Sequence, residues 1–315
     1  MNTQRDVLTR TSPSLLATRD SLPPKPAVIL GWFVTLSVSL LPDILWQTFT
    51  GRVPACLFPS KLILLCGLAT AGFFWRPARL LRGYCLMIAL LFVADFLFSR
   101  LESSSQWQQW FGSGFAGHMF GSQILRLAEA ALMILGLLLS RYRPRDFFLR
   151  KGDLNAPVGP VRWLGIDKTM RWRKVGLISS LCISLGLLAF LVIGGRPSLV
   201  SVIKMSPYLP VVLLLAAMNA FFEEVSFRGA LLAPLQGAVT QQQSILLTAV
   251  FSGIGHYYGV PYGIVGVIMA GFLGWYLGKC MVETKGVGWP WFIHLLQDVL
   301  IFSFMAIGAV TAGGR

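Results

Sequence analysis

The chain has 315 residues, of which 55% are hydrophobic and 13% charged, and its mean hydropathy is +0.67. An average soluble domain carries about 25% charged residues, so this composition excludes an ordinary water-soluble protein. The net charge of +14 does not indicate a nucleic-acid-binding protein, because the basic residues cluster between apolar segments. Several of these segments have a length of about 20 residues, which matches the ~30 Å hydrocarbon core of a bilayer. We therefore predict a polytopic membrane protein.

In chain order, nine apolar segments are predicted to cross the membrane. The predicted spans are 27–48, 58–75, 80–99, 119–140, 175–194, 207–233, 243–258, 260–281 and 289–310. The predicted fold class is therefore an all-α, polytopic transmembrane helix bundle of about eight to nine spans.

The polar segments divide this bundle into parts. Residues 1–26 are basic and rich in Ser, Thr and Pro, and they lack the apolar core of a signal peptide, so we predict a cytoplasmic tail. A four-span bundle follows in 27–140. Residues 141–174 are dense in Arg and Lys with interleaved Trp and Phe, and are predicted to form a cytoplasmic linker on the anionic leaflet surface. Residues 175–315 form the second bundle.

The distribution of positive charge predicts the orientation. With nine spans and the N-terminus inside, 19 lysines and arginines fall in inside segments and 6 in outside segments. Such a bias is typical of a cytoplasmic N-terminus. We predict a multi-pass protein of the bacterial inner membrane, in contact with the lipid bilayer and with no nucleic acid as a partner.

Charged residues within spans indicate function unless they compensate one another. In the first bundle, Asp43 follows a proline and is interpreted as structural, and Asp95 lies near a span end. Arg126 and Glu129 are three residues apart, so we expect them to form a structural ion pair with each other.

The segment FFEEVSFRGA, residues 221–230, carries two adjacent carboxylates and an arginine after a long uncharged run. Glu224 and Arg228 are four residues apart and can neutralise each other on one helix face. Glu223 is rotated by about 100° from Glu224, and we expect no neutralising partner for it on its own helix.

The later spans carry the groups that we expect to meet Glu223. His256 lies on span 243–258, while His294 and Asp298 lie four residues apart on span 289–310. A partly desolvated carboxylate beside an imidazole can take a proton from water, and a second imidazole can stabilise an oxyanion. This combination favours peptide-bond hydrolysis by an activated water. The sequence has neither a nucleophile-elbow serine nor an HExxH motif.

Three motifs in this order resemble the CAAX-protease and bacteriocin-processing (CPBP, or Abi) family of intramembrane proteases, which is related to the type II CAAX prenyl endopeptidases. The motifs are EExxxR at 223–228, FSGIGHYYG at 251–259 and HxxxD at 294–298. The resemblance covers residues 207–310 and implies a CPBP-type core in the C-terminal half.

The resemblance also implies roles for the six residues. Glu223 would activate water with help from His256, Glu224 and Arg228 would support the site, and His294 with Asp298 would form the oxyanion hole. Two positions depart from the family pattern: Ser252 stands where the family usually has Phe, and Asp298 where it usually has Asn. An ionised Asp donates no hydrogen bond, so its role differs from that of an Asn.

These observations predict an intramembrane endopeptidase of the glutamic type that acts on a membrane-anchored protein or peptide and needs no cofactor. A zinc-dependent version would use Glu223, His256, His294 and Asp298 as ligands, since imidazole and carboxylate suit zinc. Two other classes stay open: a non-enzymatic immunity or assembly factor that retains the fold, and a proton-coupled transporter. The absence of an internal repeat counts against the transporter.

Overall fold

The computed structural model describes residues 24–112 and 114–312, which fold into helices with no β-strand among them. The predicted basic tail therefore lies almost wholly outside the described residues. The helices are α1 Lys25–Val38, α2 Leu41–Thr50, α3 Leu57–Ala71, α4 Arg76–Glu102, α5 Ser105–Phe111, α6 Phe115–Leu139, α7 Trp172–Gly195, α8 Leu199–Met205, α9 Leu209–Glu223, α10 Ala230–Leu235, α11 Gln241–Gly255, α12 Ile264–Thr284 and α13 Gly288–Ala312. The predicted all-α bundle is confirmed.

The chain is a multi-pass membrane protein with fewer full-length spans than predicted. Among the described residues, six segments are long and apolar enough to cross a bilayer: Arg76–Glu102, Phe115–Leu139, Trp172–Gly195, Leu199–Leu235, Ile264–Thr284 and Gly288–Thr311. Helices α1 and α2, which are bent by 47°, would make a seventh if they count as one broken span. The other two predicted spans correspond to α3 and α11. Each has 15 residues, a length of about 22 Å, which is shorter than the ~30 Å core.

The break between α1 and α2 is held by a buried ion pair. Lys61 of α3 pairs with Asp43 in the first turn of α2, and its Nζ also donates to the Ser39 carbonyl at 2.7 Å. Both charged side chains are largely buried. Because the bend leaves backbone carbonyls without helical partners, the lysine satisfies one carbonyl and one carboxylate together.

The two predicted bundles share one hydrophobic core. Leu81 and Ile88 of α4 are fully buried in a cluster that also contains Leu231 of α10 and both Leu247 and Phe251 of α11. The N-terminal helices therefore pack directly on the helices that carry the motifs. Burial of apolar surface contributes about 25 cal/mol per Å² to stability. Loss of packing in either bundle is therefore expected to lower the stability of both.

Helices α11 and α12 approach closely, as the glycine spacing of the 260–281 span predicts. A Cβ atom on Gly253 would lie 2.8 Å from the Cα of Gly271, and one on Gly274 would lie 2.9 Å from the Ser252 Oγ. Ser252 is the position where the resembling family usually has Phe. In this chain the small side chain faces Gly274, so a ring would meet the α12 backbone.

The basic insert 141–174 packs on the turn between α12 and α13. Trp172 is fully buried and its Nε1 donates to Glu283 at 2.9 Å. The backbone N–H of Val287 donates to the Arg150 carbonyl at 2.9 Å, and Gly152 packs against Gly286. The insert is thus folded and covers the turn between α12 and α13. Its cytoplasmic location stays a prediction.

Candidate active site

The EExxxR segment lies on a break in regular helix. Helix α9 ends at Glu223, and residues Glu224–Gly229 form a π-helical turn before α10. The Glu224 carboxylate pairs with Arg228, with Oε1 and Nη1 2.6 Å apart, and both side chains are almost completely buried. A Cβ on Gly229 would lie 2.8 Å from the Phe147 carbonyl oxygen, so only glycine fits there. The predicted Glu224–Arg228 pair is present.

His294 of α13 links the two carboxylates. Its Nδ1 lies 2.7 Å from the Glu224 Oε1, and its Nε2 lies 3.5 Å from the Glu223 Oε2 and 3.7 Å from the Asp298 Oδ1. Arg228 donates to the same Glu224 Oε1, so this oxygen acts as an acceptor and the His294 Nδ1 carries the hydrogen. The Nε2 is therefore the ring atom that faces Glu223.

The two adjacent glutamates lie in different surroundings. The Glu224 side chain has no exposed surface, whereas 16% of the Glu223 side chain is exposed. The Glu223 Oε1 accepts a hydrogen bond from the Asn219 Nδ2 at 3.1 Å. Its ion-pair partners among the described residues, Arg126 and His294, lie on other helices, so the prediction that it has no neutralising partner on its own helix is confirmed. Asn219, a neutral donor, lies one turn earlier on α9. Glu224 is a structural anchor by its contacts, and Glu223 is the carboxylate that solvent can reach.

His256 caps the C-terminus of α11 and is half-buried. Its ring interacts electrostatically with both Glu223 and His294, and forms no hydrogen bond within the part of the chain that the structure describes. The fold thus brings all six predicted residues into one region. Five of them are joined by direct contacts, and His256 lies beside them with its ring nitrogens uncommitted.

Two further residues complete the site, and sequence reasoning assigned neither of them to it. The Arg126 Nη1 of α6 lies 2.9 Å from the Asn219 Oδ1 and 3.9 Å from the Glu223 Oε1.

The expected Arg126–Glu129 pair is wrong: Glu129 is buried, and Arg126 forms no ion pair with it. Spacing on α6 indicated a local partner, but a partner on α9 is closer. Asn219, four residues before Glu223, was the available signal.

Three polar atoms in the buried part of the cluster are unsatisfied among the described residues. The Glu224 Oε2, the Ser226 Oγ and the Arg228 Nε have no hydrogen-bond partner among the described residues. Each such atom costs about 1–3 kcal/mol in an apolar interior unless water reaches it. A buried water that reached these atoms would remove this cost.

No group of three or more His, Cys, Asp or Glu side chains within 24–112 and 114–312 is placed to hold a metal ion. Of the four ligands considered for zinc, His294 donates its Nδ1–H to Glu224 and keeps its Nε2 free, and Asp298 accepts from the Asn219 Nδ2 at 3.0 Å. The mechanism proposed below uses only the residues of the chain and water.

Comparison with known families bears on this site. Residues 205–300 match the family model described as type II CAAX prenyl endopeptidase Rce1-like. The Rce1-like region (residues 205–300) is thus similar to that family, which confirms the resemblance seen in the three motifs. No curated protein and no solved structure matches the chain.

The Rce1-like region spans from the end of α8 into α13 and contains all six predicted site residues. The match supports the class of CAAX-type intramembrane endopeptidases and a membrane-associated protein or peptide as the substrate. Arg126 lies outside the matched region, on a helix of the N-terminal bundle.

Proposed function

We propose that this protein is an intramembrane endopeptidase of the glutamic type, in which Glu223 activates the attacking water. One observation carries the proposal: Glu223 is the partly exposed carboxylate of a buried cluster, and its Oε2 lies 3.5 Å from the His294 Nε2. A carboxylate that keeps access to water and has imidazoles beside it has the surroundings of a general base.

The charges of the cluster support an ionised Glu223. Glu223, Glu224 and Asp298 carry three negative charges when ionised. The guanidinium groups of Arg126 and Arg228 supply two positive charges, and a protonated His294 supplies the third. A balanced cluster avoids the cost of an unpaired charge in a low-dielectric interior. In this state the Nε2 of His294 is a donor that no close acceptor uses, since its carboxylate neighbours lie at 3.5 and 3.7 Å.

The reaction follows from these positions. Glu223 removes a proton from water, and the water oxygen forms a bond to the carbonyl carbon of the scissile peptide. The electron pair of the C=O bond moves to oxygen, where the His294 Nε2–H stabilises the oxyanion. When the intermediate collapses, the C–N bond breaks and the leaving nitrogen takes the proton from Glu223. The products are a carboxylic acid and an amine.

The other residues hold this geometry. Glu224, which pairs with Arg228, accepts a hydrogen bond from the His294 Nδ1 and so sets the orientation of the ring. Carboxylates often orient histidine side chains in this way. Asp298 faces the Nε2 side of the same ring and stabilises its protonated form. To His256, whose ring makes no protein hydrogen bond within the described residues, we assign the role of orienting the water beside Glu223.

A comparison of membrane proteomes tests the proposal. Cells that produce the wild type and cells that produce Glu223→Gln are compared for proteins whose N- or C-terminal peptide differs, by mass spectrometry. We expect at least one membrane-anchored protein or peptide to be cleaved only with the wild type. Glu102→Gln, a carboxylate at the end of α4 outside the cluster, is the matched control. Identical termini in wild type and Glu223→Gln would instead favour a non-enzymatic immunity or assembly factor.

The orientation in the membrane belongs to the same proposal. The bias of basic residues supports a cytoplasmic N-terminus in a bacterial inner membrane, with the insert 141–174 on the cytoplasmic side. In a variant whose native cysteines are replaced by serine, single cysteines introduced at the exposed positions Lys168 and Val53 can be labelled with a membrane-impermeant maleimide in intact cells. This orientation requires both the broken pair α1–α2 and the short α3 to cross the bilayer, and it then predicts labelling at position 53 and protection at position 168 until the cells are opened.

A further inference from the structure

Arg126 is a half-exposed guanidinium on a membrane-spanning helix, and 43% of its side chain is exposed. A charge at such a position costs about 2.5–3.5 kcal/mol on insertion scales, so its contacts require an explanation. Its Nη1 donates to the Asn219 Oδ1 at 2.9 Å, and its guanidinium lies 5.4 Å from the Phe222 ring. Both contacts are to α9, the helix that ends at Glu223.

The side-chain amide of Asn219 donates one hydrogen bond to each of two carboxylates. Its Nδ2 lies 3.1 Å from the Glu223 Oε1 and 3.0 Å from the Asp298 Oδ2. Asn219 thereby joins the end of α9 to α13 across the site. These two bonds use both amide hydrogens, and the carbonyl oxygen is left for a donor on the opposite side.

Arg126 and the two carboxylates favour the same orientation of this amide. A guanidinium has only donors, so it can accept nothing from the Nδ2 and must face the Oδ1. Ionised carboxylates only accept, so they face the Nδ2. The cation on α6 thus anchors the carbonyl end of the amide that holds Glu223 and Asp298.

We infer that Arg126 and Asn219 act together as positioning residues for Glu223, and that α6 is therefore part of the active site. The inference rests on the proposed function, because it takes Glu223 to be the reacting carboxylate. It also gives the N-terminal bundle a defined role, since one residue from outside the Rce1-like region orients the amide that fixes the general base.

The first test measures the rate at which the new terminus of the cleaved protein appears, with full-length variants at equal abundance in the membrane. We expect Asn219→Leu to reduce the rate about 100-fold, because a misplacement of about 1 Å at a reacting group has that effect. Arg126→Gln should reduce it by roughly tenfold or more. Arg126→Lys, which keeps one donor and the charge, should recover most of the rate; a residue needed only for folding would show no such rescue.

Arg100→Gln is the matched control, since the Arg100 guanidinium also lies over a phenylalanine ring, at 5.2 Å from that of Phe96, but contacts no residue of the site. We expect no change in rate for it. A wild-type rate in Arg126→Gln, or equal losses in Arg126→Lys and Arg126→Gln at equal abundance, would overturn the inference.

The second test does not depend on a substrate. The melting temperatures of purified full-length Arg126→Gln, Asn219→Leu and the double variant are compared with that of the wild type. We expect the double variant to lose no more than the more affected single variant, since both substitutions remove the same linkage. Additive losses would contradict the linkage. If the melting temperatures are coupled but Glu223→Gln changes no terminus, the proposed function fails while the linkage stands.

Discussion

The structure contains two buried clusters of charge, and they are built differently. At the break between α1 and α2, Asp43 and Lys61 form a pair with one charge of each sign, and the lysine also satisfies the Ser39 carbonyl. Between α6, α9 and α13, three carboxylates meet two arginines and a histidine. The first cluster is complete in itself. The second is balanced only when the histidine carries a proton.

This difference separates a structural ion pair from a reactive site. Removing a proton from the first cluster would leave an unpaired charge, so its charges are fixed by folding. In the second cluster, a proton can move among Glu223, His294 and water without creating a new isolated charge. Buried charge that can be rearranged at low cost is a feature of acid–base catalysis.

The largest expected effect is a contrast between two carboxylates. Glu223→Gln removes the proposed base and should lower the cleavage rate about 10²–10⁴-fold, the usual contribution of general acid–base catalysis, with little change in melting temperature. Asp43→Asn should do the reverse and lower the melting temperature while cleavage continues. Rates from terminal-peptide mass spectrometry and melting temperatures from tryptophan fluorescence measure both. If Glu223→Gln unfolds the protein, the contrast fails.

Arg228→Met should affect stability and activity together. It leaves Glu224, which has no exposed surface, with only the His294 Nδ1 as a partner, and breaking a buried pair in this way costs about 3–5 kcal/mol. The loss should appear as a lower melting temperature of the purified protein and as a lower cleavage rate per folded molecule.

The matched control for that variant is Lys279→Met on α12, which breaks another pair with the same i,i+4 spacing. Its partner Glu283 keeps two N–H donors, from the Gly159 backbone and the Trp172 ring. A clearly smaller stability loss is therefore expected. Equal losses for the two variants would mean that Arg228 has no special role.

Lys61→Met should lower stability by about 2–4 kcal/mol, because Asp43 is then left largely buried without a cation. The double variant Asp43→Leu and Lys61→Met should recover most of this loss, since hydrophobic replacement of a complete buried pair is often neutral or stabilising. Melting temperatures of the three variants decide this. A double variant as unstable as Lys61→Met would show that the pair itself is required.

Asp298→Asn should lower the cleavage rate about tenfold, because it removes the carboxylate that stabilises the protonated His294 while Glu223 and Glu224 still face the ring. An asparagine at this position offers an amide oxygen to the Asn219 Nδ2, so the bond that now measures 3.0 Å is retained. The rate per folded molecule is the readout. Complete loss of cleavage would show that the negative charge beside His294 is essential.

The smallest expected effect is that of metal removal. Purified protein that has been dialysed against EDTA and then assayed in metal-free buffer should keep its cleavage rate, because the proposed mechanism uses Glu223 and water. Loss of the rate on chelation, with recovery on addition of Zn²⁺, would favour the metal-dependent version.

The sequence predicts the parts of the fold that depend on local pattern. Apolar length indicates the helices, and the four-residue spacing of Glu224 and Arg228 indicates their pair, which the structure contains at 2.6 Å. The three motifs predict that the helices that carry them, α9, α11 and α13, meet at one site. The lengths of α3 and α11 are less accessible to sequence, because apolar residues continue beyond the point where each helix ends.

Contacts between distant helices could not be predicted in the same way. The spacing on α6 shows that Arg126 is able to reach Glu129, but not that Asn219 of α9 lies at 2.9 Å. An uncharged amide in an apolar run attracts little notice, although it binds two carboxylates. The role of Arg126 depends on how α6 packs on α9, which is a property of the folded bundle.

The π-helical turn at Glu224–Gly229 makes the site sensitive to the length of the chain as well as to its chemistry. Because its backbone pairing reaches five residues back, as from the Ala230 N–H to the Val225 carbonyl, the turn accommodates one residue more than an α-helical turn. Deleting one residue between Glu224 and Arg228 would let the turn return to α-helical pairing and leave α10 in phase with α9, but it would place Arg228 three residues after Glu224 and no longer four. All six residues of α10 are buried, so the core packing would be kept while the Glu224–Arg228 pair is displaced.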